Sequence, residues 1–207
     1  MADLTITYYG HSCFKVCYEK KSVVFDPYED GSVPGLKLPE GISADAVYCS
    51  HDHKDHNAAN LIQNNGLNPF PVFRVTVPHD DCEGKIRGFS DITFLKVGST
   101  TIVHMGDVGR EPTKEEYEAI ERASVILIPV GGYYTIDAVM ASKILAKTHA
   151  KLNILMHYRR GDTGYDRIAD LDMVQKSFPN LKNINETFIT FDENAVPSEI
   201  ITLQPVQ

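Results

Sequence analysis

The stretch "SHDHKDHN", Ser50 to Asn57, gathers three of the chain's eight histidines and two aspartates into eight residues. The residues before it, "ADAVYC" (Ala44 to Cys49), are apolar and read as a short strand. Side chains alternate along an extended chain, so His51 and His53 point to one side and are able to share one metal ion. Asp55 and His56 follow where a helix through "NAANLIQNN" is expected to begin, turned toward a second position. A helix N-terminus there favours the Asp55 carboxylate, and Gly66 is its expected stop.

Such a site needs ligands from elsewhere, and three residues stand in suitable settings. His79, in "VPHDD", follows the apolar stretch "PVFRVTV" (Pro71 to Val77). Asp107, in "HMGDVG", follows "TTIVHM" (Thr100 to Met105), with Gly106 letting the backbone turn close to the site. His157 closes "LNILMH". Strand ends hold ligands on a rigid sheet facing an open rim. His104 competes with His79 for the third position. It lies three residues before Asp107, a spacing that in a continuing strand points to the opposite face, so His79 is preferred and His104 takes a supporting place.

At 207 residues the chain suits one domain with a sizeable core. A net charge of −8 argues against a general nucleic-acid binder, which normally carries a basic face. No apolar run approaches the roughly 18 residues of a membrane span. The start, "MADLTITYYGHSCF", lacks the basic and apolar blocks of a signal peptide, so a cytoplasmic location is expected. Cys13, Cys17, Cys49 and Cys82 show no C-x-x-C spacing and are expected to be reduced and mostly buried.

The first half is strand-rich: Leu4 to Tyr9, Cys13 to Tyr18, Ser22 to Asp26, Asp45 to Ser50, Pro71 to Val77, Ile92 to Val97 and Thr100 to Met105. The last two read as a hairpin around "VGST". The second half alternates helix and strand. Thr113 and Glu116 form a capping box for a helix to about Arg122. A buried strand spans Ser124 to Val130, and "TIDAVMASKILAKTH" has helical apolar spacing. The strand "LNILMH", a helix from about Asp170 to Phe178, and the strands "ETFITF" and "SEIITL" close the chain. Glu29 to Gly41 reads as a surface loop. The expectation is one mixed α/β (α+β) domain over residues 1–207.

The order H-x-H-x-D-H, a later His, an Asp after an apolar strand and a final His resembles the metallo-β-lactamase-fold hydrolases. "YYGHSCF", "VVFDPY", "HMGD", "PVGGYYT" and "MHY" resemble a small branch of them, similar to the ascorbate-6-phosphate lactonases and the N-acyl-phosphatidylethanolamine phospholipases. The likeness runs from about Leu4 to Arg160. It implies a four-layer αββα sandwich with the site on one edge. It also implies two divalent cations, the first held by His51, His53 and His79. The second would be held by Asp55, His56 and His157, with Asp107 bridging. Asp26, in "FDPY", would orient a ligand. The gap of 22 residues between His56 and His79 is short for the superfamily. The large insertions that build substrate pockets in better-known members are missing, so an assembly of several copies of the chain is one expectation.

Two cations about 3.5–4 Å apart hold a water between them and lower its pKa from 15.7 toward 7. The expected chemistry is therefore hydrolysis of an ester, lactone or phosphoester of a small, anionic substrate by a metal-bridging hydroxide. Imidazole and carboxylate ligands suit zinc, manganese, nickel or iron. The family's oxygen-reducing di-iron members carry Glu where this chain has His53, which favours zinc. Asp55 and Asp107 are the candidate catalytic residues, and His11, in "GHSCF", is a candidate proton donor or supporting contact. Arg159 and Arg160, next to His157, are candidate anion contacts. Tyr133 and Tyr158 are further candidate substrate contacts. A nuclease of the same fold and a non-catalytic metal-binding scaffold or sensor are the competing readings. No nucleic-acid or membrane partner is expected.

Overall fold

A computed structural model of the chain describes residues 3–206. In chain order its first strands are β1 (Asp3–Gly10), β2 (Cys13–Tyr18), β3 (Lys21–Phe25), β4 (Ser43–Ala44), β5 (Ala46–Tyr48), β6 (Gln63–Asn64) and β7 (Val72–Pro78). There follow β8 (Phe89–Val97), β9 (Thr100–His104), β10 (Val125–Pro129), β11 (Leu152–Met156), β12 (Lys182–Asn183), β13 (Phe188–Asp192) and β14 (Glu199–Thr202). The helices are α1 (Lys114–Ile120), α2 (Ala138–Ala146) and α3 (Leu171–Gln175).

Two sheets pack face to face. The smaller has the order β13-β1-β2-β3-β5 and the larger β12-β14-β11-β10-β9-β8-β7. Alternation along β1 turns Leu4, Ile6 and Tyr8 inward. With Phe14 and Phe25 they meet Leu95, Ile102, Leu127 and Ile154 of the larger sheet in the central core. β10 and β11 are buried along their whole length, which is why "VILIP" and "LNILM" are unbroken by alternation. Their far face is covered by Ile120 of α1, Ala141 and Ile144 of α2, and Val174 of α3. The Thr113–Glu116 capping box opens α1 as its sequence requires, and Asp137 caps α2 by accepting the Met140 N–H at 2.8 Å.

Strand direction decides where the site forms. β1 and β3 are both antiparallel to β2, and β5 is parallel to β3, so the ends of these three strands lie along one edge. β7 and β9 are both antiparallel to β8, and β9, β10 and β11 run parallel. The segments carrying His11, Asp26 and the histidine cluster therefore leave the first sheet at strand C-terminal ends. Those carrying His79, Asp107 and His157 leave the second sheet in the same way, the usual location of sites in open α/β sheets.

Three expectations need correction or refinement. The helix through "NAANLIQNN" is a single 3₁₀ turn, Ala59–Leu61. Its start lacks a capping side chain, and its flanking amides bond elsewhere: Ala58 N to Pro27 O at 2.8 Å and Gln63 N to Ile42 O at 2.8 Å. A short Asn-rich segment gains too little from helix formation to compete with those bonds. The Glu29–Gly41 loop is largely exposed, as a surface loop should be, but it is anchored from within. Its Val33 and Leu38, with Tyr28 and Ile42, bury the outer face of the smaller sheet at Cys13 and Val24. All four thiols are free, but only Cys13 is buried; Cys17 and Cys49 are half-buried and Cys82 is exposed. Among the described residues, no helix is long and apolar enough to cross a membrane.

If the loop is anchored in this way, Leu38→Ala should cost about 2–5 kcal/mol in urea unfolding, the range for a truncated core leucine. A loop without that anchor would tolerate the change within about 0.5 kcal/mol.

Candidate metal centre

The site begins with a buried carboxylate. Asp26 directly follows β3 in the left-handed region, φ 43°, with no exposed surface. Its Oδ1 accepts the Ser50 N–H at 2.6 Å; its Oδ2 accepts the Ser50 hydroxyl at 2.7 Å and lies 2.7 Å from His56 Nδ1. A carboxylate only accepts, so His56 carries a proton on Nδ1 and turns Nε2 to the cluster, where a bound cation would take the place of a second proton. Ser50 spends its one hydroxyl proton on Asp26, so His51 Nδ1, 2.9 Å from Ser50 Oγ, must be the donor there. Both imidazoles therefore turn Nε2 toward the cluster.

Donor atoms converge in three overlapping sets: His51, His53 and His79; His51, His56 and Asp107; and His11, Asp55, His56 and His157. Asp107 Oδ2 lies 3.3 Å from His56 Nε2, 3.4 Å from His79 Nε2 and 3.3 Å from His157 Nε2. Three imidazole nitrogens around one carboxylate oxygen exceed what its lone pairs satisfy by hydrogen bonding. His56 Nε2 and Asp107 Oδ1 are buried and have no hydrogen-bond partner. Unpaired buried donors and acceptors of this kind are costly alone, and a shared metal ion is one arrangement that would satisfy them.

Electrostatics agree with ligand roles. Burial pushes His51 down to about 3, helped by neighbouring His56, and pushes His79 down as well. Burial and His157 bring His11 down to about 4. These rings are neutral at pH 7 and keep their lone pairs. His56 is the exception: burial opposes its charge, but Asp107 and Asp26 on either side raise it well above its ordinary value. Burial works against ionising Asp55 and Asp107, yet the surrounding imidazoles hold both carboxylates below the usual range.

Glycines bring the ligand segments together. Gly106 has φ +53°, and a Cβ there would lie 2.6 Å from Asp91 O; at Gly109 it would lie 2.1 Å from Asp80 N. Ser90 Oγ accepts the Asp107 N–H at 2.9 Å and fixes that turn. His11 and His157 hold φ 55°, rare for residues with a side chain and typical of sites under constraint.

The remaining sequence candidates fall in different places. His104 turns to Ser12 O (2.9 Å from Nε2) and lies 4.0 Å from Asp26 Oδ2, outside the donor sets. His11 is buried, its Nε2 3.2 Å from Asp55 Oδ2 and its ring 4.0 Å from that of His157. It supports Asp55 from beneath and does not line the open cavity. Arg159 pairs with Asp170 at 3.0 Å, and Arg160 donates to Thr202 Oγ1 at 3.0 Å and lies against Tyr158. Neither arginine nor the buried Tyr158 reaches the metal cavity, a correction to the expected anion contacts. Sequence adjacency to His157 misled there, because β11 ends at the site and the chain turns away. Tyr133 is half exposed and lies in a neighbouring cleft.

The cavity over the donors has a volume of about 250 Å³ and is lined by His53, Asp55, His79, Arg87, Asp107, Tyr134, His157 and Tyr165. Tyr165 was missed by the sequence reading; its hydroxyl lies 3.1 Å from Asp55 Oδ2 and 2.7 Å from Ser32 O. Arg87 was missed too. The available signal was "HDDCEGKIRG", a loop leaving ligand His79 with acids and paired glycines that close it tightly.

Residues 5–157 match the family described as "Beta-lactamase superfamily domain". The match covers well over half of the chain, which belongs to that family. A UPF0173 metal-dependent hydrolase of Carboxydothermus hydrogenoformans is 27% identical over 191 residues, covering 75% of this chain and 84% of the relative. Another from Thermoplasma volcanium is 24% identical over 193 residues, covering 77% and 86%. A Thermotoga maritima crystal structure, assigned to the Zn-dependent hydrolases of the metallo-β-lactamase superfamily, superposes with TM-score 0.78 at 25% identity. That superposition covers 97% of this chain and 98% of the other.

Asp26→Asn should lower metal affinity about 10–100-fold, the usual effect of losing an outer partner of a ligand. An amide cannot accept all three donors that Asp26 holds. Chelator competition measures the affinity, and unchanged far-UV circular dichroism separates this effect from unfolding.

Proposed function

We propose that the chain is a metal-dependent hydrolase that cleaves an ester, lactone or phosphoester of a small substrate at a two-cation site. The observation that carries this reading is the position of Asp107 Oδ2, 3.3–3.4 Å from the Nε2 atoms of His56, His79 and His157. One carboxylate oxygen in reach of both ligand groups suits a bridge. His51, His53 and His79 would hold the first cation, and Asp55, His56 and His157 the second. The names of the relatives as metal-dependent hydrolases support the same reading.

When bound, the two cations supply Lewis acidity that acidifies water and stabilises negative charge developing at a carbonyl or phosphoryl oxygen. The donor set is imidazole and carboxylate without thiolate, which suits zinc and also manganese, nickel or iron. The chain's own groups keep the site ordered. Asp26 and Ser50 fix the proton positions on His56 and His51. His11 Nε2 and the Tyr165 hydroxyl both lie against Asp55 Oδ2, at 3.2 and 3.1 Å, and position that carboxylate. Ser90 and Gly106 set the Asp107 turn. A cavity near 250 Å³ lies just below the usual 300–1,000 Å³ of small-molecule sites, which favours a compact substrate.

Elemental analysis of protein purified without added metal should find about two divalent ions per chain under this reading. A panel of lactones, acyl esters and phosphodiesters should then show turnover that chelation removes. Asp107→Asn keeps the size of the side chain and removes its charge. It should lower kcat/KM about a thousandfold or more, since the charge stabilisation at stake is several kcal/mol and each 1.36 kcal/mol is tenfold. Full activity in that variant would rule out the bridging role.

A further inference from the structure

The loop after His79 places a positive charge in the cavity wall. Asp80, the next residue, is buried and accepts four backbone N–H groups: Cys82 and Gly84 at 2.8 Å on Oδ1, Ile86 at 2.9 Å and Arg87 at 2.8 Å on Oδ2. The loop closes on itself through His79 N to Gly88 O and Gly88 N to Gly84 O, both 3.0 Å. Arg87 therefore stands on a rigid nine-residue loop anchored at a metal-ligating position. Its guanidinium carbon lies 5.6 Å from the Tyr134 ring centre and 5.8 Å from that of Tyr133.

Of the other arginines around the site, Arg110, Arg159 and Arg74 pair with Glu116 (2.7 Å), Asp170 and Asp91, Arg160 turns to Thr202 Oγ1, and Arg167 donates to the Tyr133 hydroxyl; none of these five lines the metal cavity. Among the described residues, the Arg87 guanidinium has no carboxylate within ion-pair distance and donates no hydrogen bond. It is half-buried and lines the metal cavity together with Tyr134 and Tyr165. Arg87 and Tyr134 also line an adjoining cleft of about 420 Å³. That cleft sets Asp80, Asp81, Glu111 and Asp137 against Arg110, which Glu116 already pairs, whereas bound cations would offset Asp55 and Asp107 on the other side, so an anion belongs on the metal side of Arg87.

We propose that Arg87 is the substrate anchor. It holds a carboxylate or phosphate group of the substrate while the scissile bond sits over Asp55 and Asp107, and Tyr134 carries the rest toward the adjoining cleft. A guanidinium fork suits either anion. The inference rests on the hydrolase reading and narrows it to substrates bearing a second, non-reacting anionic group.

The test compares p-nitrophenyl acetate with mono-p-nitrophenyl succinate on the metal-loaded protein, in wild type, Arg87→Ala, Arg87→Lys and Arg122→Ala. Arg122 is exposed just beyond α1 and controls for a general loss of charge. The kcat/KM ratio of the anionic to the neutral ester should fall about tenfold or more in R87A, with R87K intermediate and R122A like wild type. Circular dichroism and metal content establish that each variant is folded and loaded. An unchanged ratio in R87A overturns the proposal and leaves the hydrolase reading standing. If wild type cleaves neither ester, isothermal titration of the same proteins with succinate and with inorganic phosphate decides the point. Binding weakened about tenfold in R87A supports the anchor, and the anion most affected identifies the group. Equal binding to both proteins, or none to wild type, overturns it.

Discussion

Three donors meet on the Asp26 carboxylate, and the rest of the site follows from that arrangement. A carboxylate with no exposed surface is expensive to bury and persists only when its lone pairs are filled. Burial alone would raise its pKa, but His104, His56 and Ser50 lower it, so it remains ionised. The same bonds tie the end of β3 to the backbone entering the histidine cluster. They also decide which nitrogen of His51 and His56 faces inward. Without this link, the sequence "SHDHKDHN" would be a polar loop with freely turning rings.

The cluster has a considerable cost in the bare protein. Six imidazoles and two carboxylates share a small volume, and several of their atoms find no hydrogen-bond partner. Left-handed backbone at His11, Asp26 and His157 adds strain of order 1–3 kcal/mol each. A fold concentrates unfavourable features in this way only where the surrounding structure holds them in place. Here two sheets, a fully buried β10–β11 pair and the tight glycine approaches at Gly106 and Gly109 supply that support.

Much of this was legible in the sequence because it rests on local rules. β-Branched and aromatic runs bounded by turn residues marked β1 to β3, apolar runs marked β10 and β11, and the Thr113–Glu116 pair marked α1. The donor residues could be picked out because they stand just beyond strand ends, where ligands are rigidly held. The failures arose where long-range contacts decide. Nothing local says that Val33 and Leu38 fold back over the smaller sheet, or that Ala58 gives its amide to Pro27 and so forfeits a helix. Arg159 and Arg160 adjoin His157 in the chain, yet their guanidinium groups turn to Asp170 and Thr202. Arg87 and Tyr165 reach the cavity from loops eight residues beyond the nearest ligands, a distance that spacing rules do not bridge.

The donors come from both sheets: His51, His53, Asp55 and His56 follow β5, whereas His79, Asp107 and His157 follow β7, β9 and β11. An ion held among them is a cross-link between the two halves of the sandwich. Ligands that bind only the folded chain add their binding free energy to its stability. Under the two-cation reading the two leaves of this protein would be sewn at a single edge, and its resistance to unfolding would depend on the divalent ions around it.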